Sequence, residues 1–540
     1  MPQVQEYGAV FTKSWVVELM LDLCGYVASD DLALRIAVEP SCGDGAFLLP
    51  MLSRLSQSLR SHGRQLLEAR PAIRAFDLQL QHVERAQEAA RELFVGEGWP
   101  ADEVEEVVSG WVTCSDYLLA YHAPEADFVI GNPPYIRSED MLPELRAAYL
   151  RRCKTMTAGS DIFVGFIEVG LSSLRRGGVL SFIVADRWMH NNYGRRLRGL
   201  VSECYAVENV IEMHGVDAFA SEVSAYPAIT QIRRAPQGPA VMAAAREQFD
   251  GIDAEELLAW TRGDQAQALT TSTFRAARLP AWFRTSAVWP SASPGRIALL
   301  EDLNERLRPL EDESTGTRVG IGIATGADEV FVTTDDSVAE NDRLLPLITT
   351  RHIGSGRVDW RDTWLVNPWA DDRSLVDLER YPRLRSYFER HRERLAGRHI
   401  AKRSAPDWYR TIDKVYPGLS NRRKLLLADM KATIQPVLDE GSGYPHHNLY
   451  WITSEAWDLR VLGGLLLSRV AQMFVEAYGV KMRGGTLRFQ AQYLRLIRVP
   501  DPDSIPDEIK RGLARAFEQR DEALTSELAL AAYGLTALPD

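Results

Sequence analysis

The run Ala126-Asp127-Phe128-Val129-Ile130-Gly131-Asn132-Pro133-Pro134-Tyr135 decides how the chain is read. Phe128, Val129 and Ile130 make a short apolar stretch that stops at Gly131, the pattern of a buried strand running into a turn. Two consecutive prolines fix φ and remove two N–H donors. The peptide carbonyls of Asn132 and Pro133 are therefore expected to be aimed one way, with no local donor to occupy them. An Asn side-chain oxygen beside such a carbonyl can accept both N–H bonds of a planar exocyclic amine, and Tyr135 adds a flat face for the ring that carries the amine. The same string also serves as an ordinary strand-to-loop turn with a capping Asn. The residues upstream weigh between the two.

Residues 34–38 read as a short buried strand, followed by Glu39-Pro40-Ser41-Cys42-Gly43-Asp44-Gly45-Ala46-Phe47 and an amphipathic helix reaching residue 61. The glycines let a backbone approach a ligand at a helix N-terminus. The string is not GxGxxG, however, so a nucleoside without a pyrophosphate is the better match. A second strand, residues 73–76, ends in Asp77, where such folds accept ribose hydroxyls, and a helix follows over residues 80–94. A third strand near residues 111–114 leads to Asp116, and the fourth ends at Asn132. Any one of these polar tips is an ordinary turn residue. Four of them on one edge mark the place where open α/β sheets hold ligands. A helix from Asp161, a strand over 179–184, a helix over 191–202 and strands over 206–213 and 228–233 complete the pattern. The expected fold is α/β, a doubly wound sheet of about seven strands closed by a terminal hairpin.

With 540 residues the chain exceeds one ordinary core. Pro236-Gln-Gly-Pro239 reads as a boundary and Pro290-Ser-Ala-Ser-Pro294 as a second articulation, dividing the chain into residues 1–239, 240–500 and a helical segment 501–540. No apolar run is long enough to span a bilayer and no signal-like start is present, so a cytoplasmic location without membrane contact is expected. The five cysteines form no CxxC pair, which argues against a disulfide framework or a zinc ribbon. A net charge of −12 requires any nucleic-acid surface to be a local patch.

Taken together, the first 235 residues resemble, motif by motif, the gamma-class (TaqI-type) adenine-N6 DNA methyltransferases of restriction-modification and related defence systems. Glu39-Pro40-x-x-Gly43-x-Gly45-x-Phe47 is similar to that family's S-adenosyl-L-methionine loop, and Asn132-Pro133-Pro134-Tyr135 to its catalytic turn. The resemblance implies a seven-stranded methyltransferase fold followed by an α+β DNA target-recognition domain. It further implies Thr12 near the cofactor carboxylate, Asp77 on the ribose, Asp116 on the cofactor's adenine amine and Phe163 on the adenine face. Phe219 is implied to face Tyr135 across a flipped-out target adenine. One departure stands out: the family's Val-Pro after the fifth strand is replaced by Val184-Ala185-Asp186-Arg187. No cysteine occupies a Pro-Cys turn at the fourth strand, which removes cytosine-C5 chemistry. N4-cytosine transfer stays open, since it too methylates an exocyclic amine, although related enzymes for it usually carry Ser in place of Asn132.

The remainder has a different texture. The Gly-rich run from Val319 to Val332 lacks the Lys-Ser/Thr ending of a phosphate loop and reads as strand and turn. Between Arg380 and Lys424 basic residues dominate, with Arg398, Lys402 and Arg403 close to Trp408, and Arg483 and Arg488 follow near the end; all six are candidates for DNA contact. His446 and His447, adjacent on a strand, are expected to point to opposite faces, and no metal site is expected. Pro506-Asp507-Glu508-Ile509-Lys510 crowds PD and ExK elements into one helix start and is not read as a nuclease. Residues 504–532 read as amphipathic helix. The expected partners are double-stranded DNA and a separate restriction nuclease or defence subunit. The competing readings are a protein-glutamine or RNA methyltransferase sharing the same turn, and an inert DNA-specificity subunit.

Overall fold

β1 (Ala37–Glu39) pairs in parallel with β2 (Ile73–Asp77) on one side and with β4 (Ala126–Gly131) on the other, so strand order reverses there. In the computed structural model, residues 12–120, 122–220, 226–263, 266–402, 405–479 and 487–539 are described. They fall into two compact units, Met1–Ala298 and Leu299–Pro539. In the first, β3 (Val112–Cys114) extends the sheet beyond β2. β5 (Leu174–Ala185) lies beside β4, and β6 (Ala206–Glu212) and β7 (Pro227–Arg233) pair antiparallel. The order β3-β2-β1-β4-β5-β7-β6 is the expected doubly wound sheet.

It does not close there. β8 (Ala240–Ala245) pairs in parallel with β6, and β9 (Ala268–Thr270) and β10 (Phe274–Leu279) bring the sheet to ten strands. The boundary expected at Pro239 therefore falls inside the first unit. Residues 240–245 are apolar on both faces and cap the β6 edge, which a sequence break at two prolines conceals.

β4 is buried along its whole length, as a central parallel strand must be. Its alternation divides the core. Phe128 and Ile130 join a cluster with α1 (Ser14–Cys24), α2 (Leu48–Ser61), α3 (Leu80–Gly96) and α4 (Ala101–Trp111), whereas Val129 joins the opposite cluster with α5 (Pro143–Arg152) and α6 (Phe163–Ser173). The first strand begins later than expected, because residues 32–34 form a 3-10 turn and Leu34 is exposed. The helix expected over 191–202 is a 3-10 turn, Asn192–Gly194, continued by α8 (Arg195–Cys204), after a short α7 (Arg187–His190).

The second unit is α+β, built on two four-stranded sheets. One pairs Arg318–Ile321 with Leu449–Thr453, and the latter with Lys424–Ala428. The C-terminal segment is two helices, Asp507–Gln519 and Glu522–Tyr533, parted at Arg520, whose φ is +58°. The ring of Phe517 and the backbone of Leu513 pack against Gly463 and Gly464, so residues 501–539 belong to this unit's core and not to a separate segment. No single described helix is long and apolar enough to cross a membrane.

Lys424 and Asp439 are cross-strand neighbours with fully buried side chains, 2.5 Å apart, and Lys424 Nζ also donates to the carbonyls of Leu419 and Arg422. Lys424→Met strands the carboxylate in the interior and is expected to cost the second unit about 3–5 kcal/mol in urea denaturation; a loss under about 1 kcal/mol contradicts this assignment.

Candidate active site

At the reversal point, the carboxyl ends of β1, β2 and β4 and the turn after β3 surround a cavity of about 690 Å³. That volume suits a small-molecule ligand. Thr12, Glu39, Pro40, Gly43, Asp77, Asp116, Asn132, Pro133, Pro134 and Tyr135 line it together. Gly45 does not reach it, but its φ of +98° makes the turn that feeds α2. Phe163 departs from expectation. Its side chain is fully buried beneath Tyr135, with ring centroids 6.5 Å apart, and Ile162 and Phe166 face the cavity in its place. A helix shows its sequence period plainly, but not which of two neighbouring faces meets a void.

Acidity dominates one wall. Asp77 Oδ2 accepts the Gly43 N–H at 3.0 Å, which pins the glycine turn to the tip of β2, and Oδ1 accepts the Gln79 N–H. Glu39 is 1% exposed and its Oε2 meets no donor among the described residues. Burial, reinforced by the nearby Asp77 charge, pushes its carboxyl well above the usual range. Burial likewise pushes the Cys42 thiol up, consistent with a packing role. His82, in the first turn of α3, stands 3.4 Å from Asp77 Oδ1, and Tyr149 donates to Asp116 Oδ2 at 2.9 Å. Both line the cavity, and both were missed. His82 follows the acidic tip by five residues, a spacing that could have been read; Tyr149 carries no local signal. The opposite walls are apolar, and Leu78, Leu80 and Leu142, all more than half exposed, stand at them.

The proline turn is built differently from its expectation in one respect. Ser41 Oγ donates to the Asn132 carbonyl at 3.2 Å, so that carbonyl is engaged, whereas the Pro133 carbonyl takes no hydrogen bond among the described residues. Asn132 Nδ2 donates to Thr12 Oγ1 at 3.2 Å, which sets the direction of the amide. Thr12 is in turn held by a bridge to Phe219. Tyr135 and Phe219 meet edge to face at 6.4 Å and 82°, not as parallel plates with a slot between them.

In the second unit several expectations change. Arg398 spends its guanidinium on the carbonyls of Leu395, Thr325, Trp408 and Arg410, and Trp408 is a core residue. Neither is placed to meet a phosphate, because the Arg398 guanidinium turns inward over the Phe331 ring and Trp408 is buried. Lys402 is exposed; Arg488 is paired with Asp429 at 2.6 Å; Arg403 and Arg483 lie outside the described residues. His446 and His447 are not on opposite faces: their rings lie 4.1 Å apart, because only Tyr444–Pro445 is strand, and His446 Nε2 is 3.0 Å from Asp328, an ordinary hydrogen bond. A second cavity, about 1170 Å³, is lined by Arg318, Arg373, Lys414, Tyr416 and Trp451 among others. Arg318 is exposed there and has no ionic partner among the described residues. Tyr416, Ile321 and Ile412 are nearly half exposed on its walls. A Cβ at Gly320 would stand 2.2 Å from the Trp451 ring, so glycine there is what lets the indole lie across the strand.

The family model for the Eco57I restriction-modification methylase matches residues 83–219. Over nearly the full length, the chain is 42% identical to the type II methyltransferase M.PaeR7I of Pseudomonas aeruginosa, covering 98% of this chain and 92% of that protein. It is 38% identical to M.XhoI of Xanthomonas vasicola, covering 98% and 97%, and 36% identical to M.BstVI of Geobacillus stearothermophilus, covering 94% and 92%.

Because the Glu39 carboxyl is raised in the folded chain, its neutral form favours folding. That stability is fully present below the unfolded value near 4.5 and is lost as pH rises through the folded value. Glu39→Gln is expected to raise the ligand-free melting temperature where the wild-type carboxyl is ionised and to flatten its decline as pH rises above about 4.5; an unchanged profile contradicts the burial argument.

Proposed function

Because the chain belongs to the type II methyltransferases of restriction-modification systems, we propose that its first unit moves a methyl group from S-adenosyl-L-methionine to N6 of an adenine rotated out of duplex DNA. The observation that carries this reading is that the acidic, apolar-walled pocket and the Asn132–Tyr135 turn line one cavity. A buried carboxyl without a donor, facing a second carboxylate, suits a ligand with cationic centres and ribose hydroxyls and repels a pyrophosphate. Bound there, the cofactor supplies an electrophilic methyl group on a sulfonium. Glu39 and Asp77 offset its positive charge, Asp116 accepts from its adenine amine, and Leu78, Leu142, Ile162 and Phe166 give its rings apolar walls.

Thr12 holds the Asn132 amide by its nitrogen end. The side-chain oxygen of Asn132 and the carbonyl of Pro133 then accept the two N–H bonds of the target amine and draw its lone pair out of conjugation, towards the methyl group. The turn needs no covalent intermediate. Rotating the nucleotide out costs roughly a few kcal/mol, which stacking on Tyr135 offsets in part. Seating a base between Tyr135 and Phe219 requires the two rings to part.

To the second unit we assign target recognition, with a separate nuclease reading the same sequence as partner. Its support is the groove where the exposed Arg318 meets Tyr416 and Trp451; Arg373, Lys414 and Arg495 line it too, with as many carboxylates (Glu311, Glu313, Asp413, Glu455), and aromatic and aliphatic surface is exposed between them.

With labelled cofactor and a panel of DNA, RNA and protein acceptors, transfer to duplex adenine is expected. Asn132→Ala is expected to lose it by at least about 10²-fold while retaining cofactor binding. Transfer to glutamine or RNA alone, or none at all, favours the competing readings, and full activity in the variant ends the catalytic assignment. For the groove, Arg318→Ala is expected to weaken duplex binding and lower its salt dependence by about one charge, whereas Arg398→Ala costs about 2 kcal/mol of stability with binding unchanged. The opposite pattern returns the interface to the basic run.

A further inference from the structure

From the first turn of α3, His82 adds its imidazole to the wall of the first cavity. The side chain is 15% exposed and stands between two carboxylates, with Nδ1 3.4 Å from Asp77 Oδ1 and Nε2 4.0 Å from Asp44 Oδ1. Arg85 approaches the Asp44 carboxylate to 3.3 Å, so that side of the ring is already paired. Neither gap is a hydrogen bond, since N–H···O contacts reach only to about 3.2 Å. His82 Nδ1 is nevertheless shielded from solvent and meets no hydrogen-bond partner among the described residues.

An imidazole nitrogen that faces a carboxylate carries its proton, because a lone pair set against an acceptor-only group is repelled. Nδ1 is therefore an N–H beside Asp77 with no acceptor at hydrogen-bonding distance. A shielded donor left unmet is destabilising, and here it borders a cavity, so the position suits a ligand atom that accepts.

Asp77 supplies the complementary half. Its Oδ2 accepts the Gly43 N–H at 3.0 Å and its Oδ1 the Gln79 N–H at 2.9 Å, which fixes the carboxylate and leaves each oxygen room for a second donor. Acceptor and donor thus stand 3.4 Å apart on one wall, close to the separation of two neighbouring hydroxyl oxygens on a five-membered sugar ring. A phosphate or carboxylate would set acceptors against Asp77, and an ammonium group would leave the imidazole N–H unmet. A vicinal diol satisfies both: one hydroxyl donates to Asp77 and its neighbour accepts from His82.

We propose that His82 holds one ribose hydroxyl of the cofactor, donating from Nδ1, while Asp77 accepts from the other. The inference rests on the reading of the first cavity as the S-adenosyl-L-methionine site. His82 is then a specificity residue for the cofactor's sugar. A deoxynucleoside, such as the target in DNA, lacks one of the two hydroxyls and is held by one contact at most.

Isothermal titration calorimetry on the full chain tests this with S-adenosyl-L-homocysteine and its 2′-deoxy and 3′-deoxy analogues, in the wild type and in His82→Ala. The variant is expected to bind S-adenosyl-L-homocysteine about 3–10-fold more weakly, and on the wild type each analogue is expected to bind at least about 3-fold more weakly than the parent. On His82→Ala one analogue is expected to lose its penalty, to within about 2-fold, because the hydroxyl it lacks has no donor left to meet; the other keeps its penalty through Asp77. A purely structural role for His82 weakens all three ligands by one factor. That result, unchanged affinity in the variant, or a wild type indifferent to either hydroxyl overturns the proposal. If S-adenosyl-L-homocysteine does not bind the wild-type chain at all, the cofactor reading itself fails and this inference with it. Should the alanine variant not fold, His82→Leu keeps the bulk of the ring without its donor, and the same comparison decides.

Discussion

β1 is hydrogen-bonded to a parallel neighbour on each side, and a Cβ at Gly131 would stand 3.3 Å from Pro40 Cδ and 3.7 Å from Glu39 Cγ. That close approach of two strand tips governs the active edge. With glycine at the end of β4, the Glu39-Pro40 turn and the Asn132-Pro133 turn sit side by side, and Ser41 can bond across from one to the other. A side chain there would press the two turns apart by a few tenths of an ångström, at the point where the acidic pocket and the proline turn meet.

The electrostatics follow from the same crowding. Glu39 is carried into the interior because it ends a fully buried three-residue strand, and Asp77 arrives beside it because β2 is β1's parallel partner. Neither carboxyl is placed there by helix or strand propensity. Their mutual cost is the mark of a site built to receive positive charge, and Asp77 is held to it by the Gly43 N–H.

Charge in the second unit teaches the converse. The densest basic run in the sequence is already engaged within the protein: Arg398 satisfies four carbonyls, while at the surface Arg394 pairs with Glu329 and Arg392 pairs with Glu389 and lies over the Trp408 ring. A more sparsely charged stretch, Arg318 to Ile323 with its alternate glycines, instead leaves a cation and apolar side chains exposed around a groove. Linear density of arginine says little about which guanidiniums stay unpaired, since a planar donor fork is equally good at closing carbonyl ends inside a protein or pairing with a neighbouring carboxylate.

The sequence by itself determined the parallel sheet, its reversal point and the polar tips gathered there. Strand and helix periods, glycine turns and paired prolines are local properties that the backbone obeys wherever the chain goes. It also determined the carboxylates and the proline turn of the cavity wall between Glu39 and Tyr135, but not His82 among them. Tertiary structure decided the rest: that the sheet continues past Pro239, that Phe166 and not Phe163 faces the cavity, that Ser41 occupies one of the two carbonyls, and that His446 and His447 turn to the same side. Each of these depends on which atoms from distant parts of the chain come within a few ångströms, and packing, not local propensity, sets those distances.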